Sequence, residues 1–79
     1  MGTAHATRTA EGLAAEFMGR ANEFGWVRLT AKQGAWLWSL GLRDEMCNRV
    51  SNTYMEGYIG SRMWKLVKQS NGSYTLGWV

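Results

Sequence analysis

The chain has 79 residues, a length that accommodates one domain with a small core. Its formal net charge is +3, and 46% of its residues are hydrophobic. One histidine, His5, and one cysteine, Cys47, cannot supply the common zinc sites or a Cys/His relay. We therefore expect no metal, no cofactor and no enzymatic activity.

The same composition bears on compartment. An unpaired cysteine is typical of a reducing, cytoplasmic setting. No apolar run approaches the length that spans a membrane, and the first nine residues lack the apolar core of an export signal. We expect a cytoplasmic protein without membrane contact. Its five tryptophans are expected to enlarge the core, because each can bury on the order of 150–250 Å².

Residues 1–8 are small and polar, which predicts a flexible N-terminal tail, and residues 9–79 are expected to form a single small globular domain. An amphipathic helix is predicted over residues 9–24. Thr9 can cap it, and Leu13 and Phe17 recur on one side. Gly25 is expected to end it.

Residues 26–29 form a short extended stretch that could pair at the edge of a small sheet. Thr30 and Gln33 then have the spacing of a capping box, in which each side chain accepts a hydrogen bond from the other's backbone N–H. A second helix is predicted from Ala31 to Gly41, because glycine tolerates the left-handed conformation that closes a helix.

A third helix is predicted over residues 44–54, with Asp44 as N-cap and Cys47 on its apolar side. The opposite side shows Asn48, Arg49 and Asn52, whose side chains are the types that recognise adenine and guanine edges. An ordinary solvated helix face is the alternative for these three residues.

The C-terminal segment predicts a β-hairpin over residues 63–79. Asn71 and Gly72 lie between two extended runs, which is a strong local hairpin signal. A two-residue turn there pairs Lys65 with Trp78 and places Val67 on the same face as Leu76. Residues 54–60 remain ambiguous.

Charge is distributed unevenly along the chain. Residues 57–79 contain no acid and carry Arg62, Lys65 and Lys68. A basic segment with aromatic residues between its charges suits a polyanion. The alternative is that these are ordinary solubilising charges.

The predicted fold class is α+β, with three short helices followed by a C-terminal β-hairpin, to which residues 26–29 could add a third strand. Leu40-Gly41-Leu42 forms an apolar-Gly-apolar turn, and Val50 lies where the third helix would bury an apolar residue. With these features, the predicted order of helices and strands resembles that of winged helix-turn-helix modules that bind DNA. The resemblance implies that the third helix enters the major groove and that the hairpin acts as a wing. It places Asn48, Arg49 and Asn52 at bases, Lys65, Lys68 and Asn71 near the backbone, and Arg43 beside the groove-entering end.

Two functions therefore remain open. The first is a non-enzymatic nucleic-acid-binding module, with double-stranded DNA as its partner through residues 44–54 and 63–79, and with a homodimer as a possible form. The second is a small accessory or inhibitor protein, of the kind that phages and mobile elements encode, which binds a host protein through exposed tryptophans. A structural subunit of an assembly is a third alternative.

Overall fold

Two helices and five strands make up residues 8–79, the part of the chain that the structure, a computed structural model, describes. The strand pairings are antiparallel, and the sheet order is β1-β5-β4-β3-β2. The fold is therefore α+β, but the predicted winged-helix-like architecture is wrong. The elements in chain order are α1 (Ala10–Met18), β1 (Trp26–Leu29), α2 (Ala31–Leu42), β2 (Asn48–Ser51), β3 (Tyr54–Ile59), β4 (Arg62–Lys68) and β5 (Tyr74–Trp78).

Both helices pack on the same face of the sheet. Met55, Leu66 and Leu76 point to that face from the three central strands and have no exposed surface. They pack in one cluster with Leu13 of α1 and Leu37 of α2. Burial of apolar surface contributes about 25 cal/mol per Å², so this cluster is the main stabilising feature. Within the described residues, no helix covers the opposite face of the sheet.

Two of the three predicted helix starts are confirmed, those at Thr9 and Thr30. The hydroxyl of Thr9 accepts the N–H of Gly12 at 3.0 Å, and α1 begins at the next residue after Thr9. The hydroxyl of Thr30 accepts the Gln33 N–H at 3.1 Å, while the Gln33 side chain accepts the Thr30 N–H at 3.0 Å. These caps depend on residues three apart in the chain, which is why sequence alone identified them.

The first helix is shorter than predicted, because it ends at Met18 instead of continuing to residue 24. The Asn22 side chain accepts the N–H of Phe24 at 2.9 Å and that of Trp26 at 3.3 Å. Such local bonds from an asparagine side chain compete with helix formation. The chain therefore turns at this point and enters β1, which pairs with β5 at the sheet edge as expected for residues 26–29.

Gly41 does not end α2 as predicted. The helix continues to Leu42, and Gly41 is buried within it. A Cβ atom there would lie 2.4 Å from the sulfur of Met55, and one on Gly34 would lie 2.0 Å from a ring carbon of Tyr74. Both glycines therefore let the helix backbone approach the sheet closely, and neither supplies a left-handed cap.

The predicted third helix over residues 44–54 is wrong. The Asp44 side chain accepts the Met46 N–H at 2.9 Å, and its carbonyl accepts the Cys47 N–H at 3.0 Å, so Asp44 starts a turn and not a helix. β2 follows and pairs with β3, placing Arg49 opposite Met55. Apart from Arg49, residues 48–53 are asparagine, valine, serine and threonine, which have low helix propensity, so sheet pairing outweighs the helical pattern.

The predicted C-terminal hairpin forms, but its register differs by one residue. Lys65 pairs with Gly77 and not with Trp78. The N–H of Gly72 donates to the carbonyl of Gln69 at 3.0 Å, and Gly72 has a φ of 93°. This is a type I turn followed by a left-handed glycine, which closes a three-residue loop instead of the predicted two-residue turn.

The register decides which side chains enter the core. Side chains alternate between the two faces of a strand, so a shift of one residue exchanges the faces of β4 relative to β5. Leu66, not Val67, therefore lies opposite Leu76, and both leucines are fully buried. Lys65 moves to the face without helices.

Residues 1–7 of the predicted tail lie outside the described residues. Arg8, the last residue of that tail, pairs with Glu16, and its guanidinium lies 5.6 Å from the ring centroid of Trp36.

None of the helices in the described part of the chain is long and apolar enough to cross a bilayer.

Candidate nucleic-acid interface

The three residues predicted to contact bases do not lie on a helix. Asn48 and Arg49 are neighbours on β2, so their side chains point to opposite faces of the sheet. Asn52 follows in the turn between β2 and β3, and its side chain accepts a hydrogen bond from Arg49 at 2.9 Å. The helix that would have presented all three to a DNA groove is absent from residues 44–54.

The other predicted contact residues are also dispersed. Arg43 is exposed at the end of α2. Lys65 points to the sheet face without helices, and Lys68, three residues later, points to the opposite face. Asn71 lies in the loop between β4 and β5, where its side-chain oxygen accepts the N–H of Ser73 at 3.0 Å. The structure does not bring these residues onto one surface with those of β2.

One partial grouping does occur. The N–H of Lys68 donates to the carbonyl of Thr53 at 2.9 Å, which joins the β2–β3 turn to the end of β4. Asn52 and Lys68 therefore lie at the same end of the sheet. Lys65 lies farther along β4.

The face of the sheet without helices carries a different set of aromatic and charged side chains. We call it the open face. The strand register places on it the residues that alternate with the core residues. Its members are Trp26 and Arg28 of β1, Thr75 and Gly77 of β5, Met63, Lys65 and Val67 of β4, Tyr54, Glu56 and Tyr58 of β3, and Asn48 and Ser51 of β2.

The open face has two cations and one acid. Arg28 and Lys65 are the cations, and Glu56 is the cross-strand neighbour of Lys65. The Tyr54 hydroxyl donates to Glu56 at 3.0 Å. Burial, and then the hydrogen bond and negative charge of Glu56, raise the pKa of Tyr54 above its ordinary value. Tyr54 is therefore a neutral donor at neutral pH, and the open face has a net charge of +1.

A shallow pocket of about 410 Å³ lies on the open face beside β1. Gly77 lies between Trp26 and Lys65 in the row of paired residues that crosses three strands. Because Gly77 has no side chain, the row is depressed at this point. The lining includes Phe24, Trp26, Arg28, Lys65, Gln69, Thr75 and Gly77.

The five tryptophans differ in exposure. Trp64 is fully buried, and Trp38 and Trp78 are half-buried against the core. Trp26 on the open face is 38% exposed, and Trp36 on α2 is 47% exposed. The exposed tryptophans therefore lie on opposite layers of the molecule.

Sequence reasoning included Lys65 but missed Trp26, Arg28, Tyr54 and Tyr58 as candidate binding residues. A signal was present in each strand. The β1 sequence alternates large apolar residues with Trp26 and Arg28, and the β3 sequence places Tyr54 and Tyr58 at even spacing. The pattern in residues 54–59 became informative only once the segment was known to be a strand.

Comparison of the chain with protein-family models, with curated proteins and with solved structures found no match. The described residues also contain no group of three His, Cys, Asp or Glu side chains that could hold a metal ion.

Proposed function

We propose that the protein is a non-enzymatic module that binds single-stranded nucleic acid on the open face. The observation that carries this proposal is the combination of aromatic and cationic side chains on an uncovered sheet face. Nucleobases stack on aromatic rings, and cations neutralise the phosphates between them. Trp26, Tyr54 and Tyr58 supply the rings, and Arg28 and Lys65 supply the positive charge.

The shape of the open face favours a single strand over a duplex. The major groove of B-DNA is about 12 Å wide and admits a helix or a two-stranded ribbon. Five strands spaced about 4.8 Å apart make a surface about 19 Å wide, which does not enter that groove. The helix predicted at residues 44–54, which would have entered the major groove of a DNA duplex, does not exist. The described residues therefore lack the helix on which the prediction of duplex binding depended.

The small charge of the open face sets the expected salt dependence. When a protein neutralises Z phosphates of a single strand, the logarithm of its affinity falls linearly with the logarithm of the salt concentration. The slope is about 0.7Z. With Arg28 and Lys65 as the contacts, the slope should be about 1.4. Most of the affinity must then come from stacking.

The test is fluorescence anisotropy of a labelled single strand of about 12 nucleotides, within the site sizes that such proteins cover, at several salt concentrations. Lys65→Gln should weaken binding and lower the salt slope by about 0.7. Lys32→Gln is the matched control, because it removes the same charge from the exposed side of α2. Failure of the parent protein to bind at low salt, or equal effects of the two variants, would refute the proposal.

A protein-binding accessory role is the second candidate, and the exposure of Trp36 favours it. Trp36 borders a shallow depression of about 460 Å³ that Thr30, Lys32 and Gln33 also line. Exposed tryptophans often dominate the binding energy of protein interfaces. A second copy of the chain is the first partner to test. Sedimentation should show a dimer that Trp36→Lys dissociates, and a monomer at every concentration would remove this partner.

A further inference from the structure

The geometry points to the pocket above Gly77 as a subsite for one nucleobase, stacked on Trp26 and held between Lys65 and Arg28. This inference rests on the proposed function and specifies where on the open face a base is bound. Four observations support it: the absent side chain at Gly77, the exposed indole beside it, the flanking cations and a polar pair at one end of the pocket.

Gly77 provides a flat floor for the subsite. A Cβ atom on this residue would lie 3.0 Å from the Cβ of Trp26 and 3.3 Å from the carbonyl oxygen of Gly25. The backbone of β1 is therefore so close that a side chain at residue 77 would have to displace its neighbours. Gly77 is itself buried, so what it gives the pocket is the room that a side chain at residue 77 would fill, not an exposed stretch of backbone.

Trp26 forms the stacking wall of the subsite. It is 38% exposed and lines the pocket, so a ligand can reach the indole without any rearrangement of the core. The preceding turn has Gly25 at a φ of 84°, and Phe24, which is 78% exposed, lines the same pocket. A base can stack on a single aromatic ring, and this pocket offers two.

Cations flank this wall in two directions. Lys65 is two strands from Trp26 in the same row, about 10 Å away at the usual strand spacing. Arg28 is two residues farther along β1, about 7 Å from Trp26, with its side chain on the same face. A nucleic-acid strand whose base stacks on Trp26 therefore has two cations near its phosphates, one across the sheet and one along β1.

A polar pair lies in the lining at the end of the pocket nearest the β4–β5 loop. The Gln69 side-chain amide donates to the Thr75 hydroxyl at 3.0 Å, and both residues line the pocket. The remaining amide oxygen and the hydroxyl proton can bond to a base edge. Cytosine, adenine and guanine present exocyclic amino donors, so the Gln69 oxygen favours these bases over thymine.

The experiment compares Trp26→Leu, Trp26→Phe and Trp36→Leu in the same anisotropy titration with a labelled oligodeoxycytidylate of about 12 nucleotides. Loss of one base–aromatic stack should weaken binding by about 5- to 150-fold in Trp26→Leu. Trp26→Phe should recover part of that loss, because phenylalanine also stacks. Trp36→Leu, which removes an exposed indole from the other layer, should bind like the parent protein.

Circular dichroism and thermal melting establish that each variant is folded, and Trp26→Phe keeps the test decisive if Trp26→Leu does not fold. A second readout is tryptophan fluorescence, because stacking quenches an indole. Quenching by the oligonucleotide should fall sharply in Trp26→Phe and persist in Trp36→Leu.

The outcomes separate the two proposals. If the parent binds and Lys65→Gln weakens it, but Trp26→Leu and Trp26→Phe bind as tightly as the parent, the subsite is wrong and the proposed function stands. If the parent binds no single strand at low salt, the proposed function itself is wrong. An equal loss in Trp26→Leu and Trp36→Leu would also overturn the subsite.

Discussion

Gly34 determines how closely α2 lies on the sheet. A Cβ atom at this residue would be 2.0 Å from Cδ1 and 2.6 Å from Cβ of Tyr74, atoms near the base of a buried side chain that cannot swing away. We expect Gly34→Ala to lower the free energy of unfolding by about 1–3 kcal/mol through overpacking, even though alanine has the higher helix propensity. Urea denaturation measures the change.

Gly41→Ala is the matched control for this prediction. It adds the same methyl group two turns later in α2, but its nearest neighbour is the sulfur of Met55, 2.4 Å away. A methionine side chain has three rotatable bonds and can move aside. Gly41→Ala should therefore cost less than Gly34→Ala. An equal or larger cost would show that the sheet contact of Gly34 is not the limiting one.

The pKa of the Cys47 thiol predicts its reactivity and its effect on stability. Burial, and then the charge of Asp44, raise the pKa of Cys47 from 9.0 to about 11. Because only the thiolate reacts with disulfide reagents, the native thiol at pH 8 should react about 100-fold more slowly than the urea-unfolded chain. The unfolded state also loses this proton first, so stability should fall as the pH rises above 9.

Asp44→Asn is the informative variant for the thiol. It removes the negative charge that raises the pKa of Cys47 but keeps a side-chain oxygen for the Met46 N–H. The thiol should then react faster than in the parent, yet still more slowly than in the unfolded chain. A native thiol that reacts as fast as the unfolded one would show that Cys47 is not shielded.

At the scale of elements, the β4–β5 loop depends on a left-handed residue. Gly72 has a φ of 93°, and an added Cβ atom would meet nothing within 4 Å. Any loss of stability in Gly72→Ala is therefore a backbone effect, expected to be about 1–2 kcal/mol. Gly72→Asn should lose less, because asparagine tolerates this conformation better. Thermal melting of the parent, Gly72→Asn and Gly72→Ala checks this order of stability. Equal melting temperatures would show that the loop does not need a left-handed residue.

The elements predicted correctly are those fixed by short-range chemistry. The Thr30 capping box uses two side chains three residues apart, and β1 lies between a glycine and that cap. The hairpin was found from Asn71 and Gly72, but not its register, because a two-residue and a three-residue loop both suit that sequence.

The absence of a helix at residues 44–54 shows where prediction from short-range chemistry fails. Residues 44–54 have a helical apolar pattern, but β3 needs a partner on its outer edge and β2 supplies it. One local signal does distinguish β3 from a helix: Gly60, with a φ of 62°, and Ser61 form a two-residue turn between β3 and β4. A glycine in the first position of such a turn is a recognised hairpin signature, and it would have identified β3 as a strand.

The candidate site was predictable only in part for the same reason. The basic C-terminal segment led to Lys65, which does lie on the open face. Trp26 lies 39 residues before Lys65 in the chain. Only the pairing of β1 with β5, which also pairs with β4, brings the two residues near each other. A surface assembled from five strands depends on their register, and the sequence of the β4–β5 hairpin is compatible with two registers.

At the scale of the whole molecule, the two faces of the sheet are unequal. One face has α1 and α2 over a core whose central side chains are fully buried. The other retains half-exposed aromatic and charged residues with no helix over them in the described part of the chain. The amide of Gly60 donates to Glu11 at 2.7 Å, so even the β3–β4 turn is tied to the helical layer. Binding of single-stranded nucleic acid to the open face, as we propose, would therefore leave the core undisturbed.

The sheet order predicts how local stability varies across the molecule. β4 is central and is paired on both sides, whereas β2 is an edge strand whose four residues are all exposed. Its pairing with β3 also shifts between Arg49 and Ser51, which weakens the ladder there. Opening β2 exposes little apolar surface, but opening β4 disrupts the core.

Native-state hydrogen exchange measures this gradient. Amides of β4 should exchange only through global unfolding, at rates that rise steeply with urea, because both ladders of that strand must open. Amides of β2 should exchange at least about tenfold faster and respond little to urea, since local opening suffices. If the exchange of β2 followed urea as steeply as that of β4, the edge strand would belong to the same cooperative unit as the core. That result would mean that β2 is held by contacts beyond its pairing with β3.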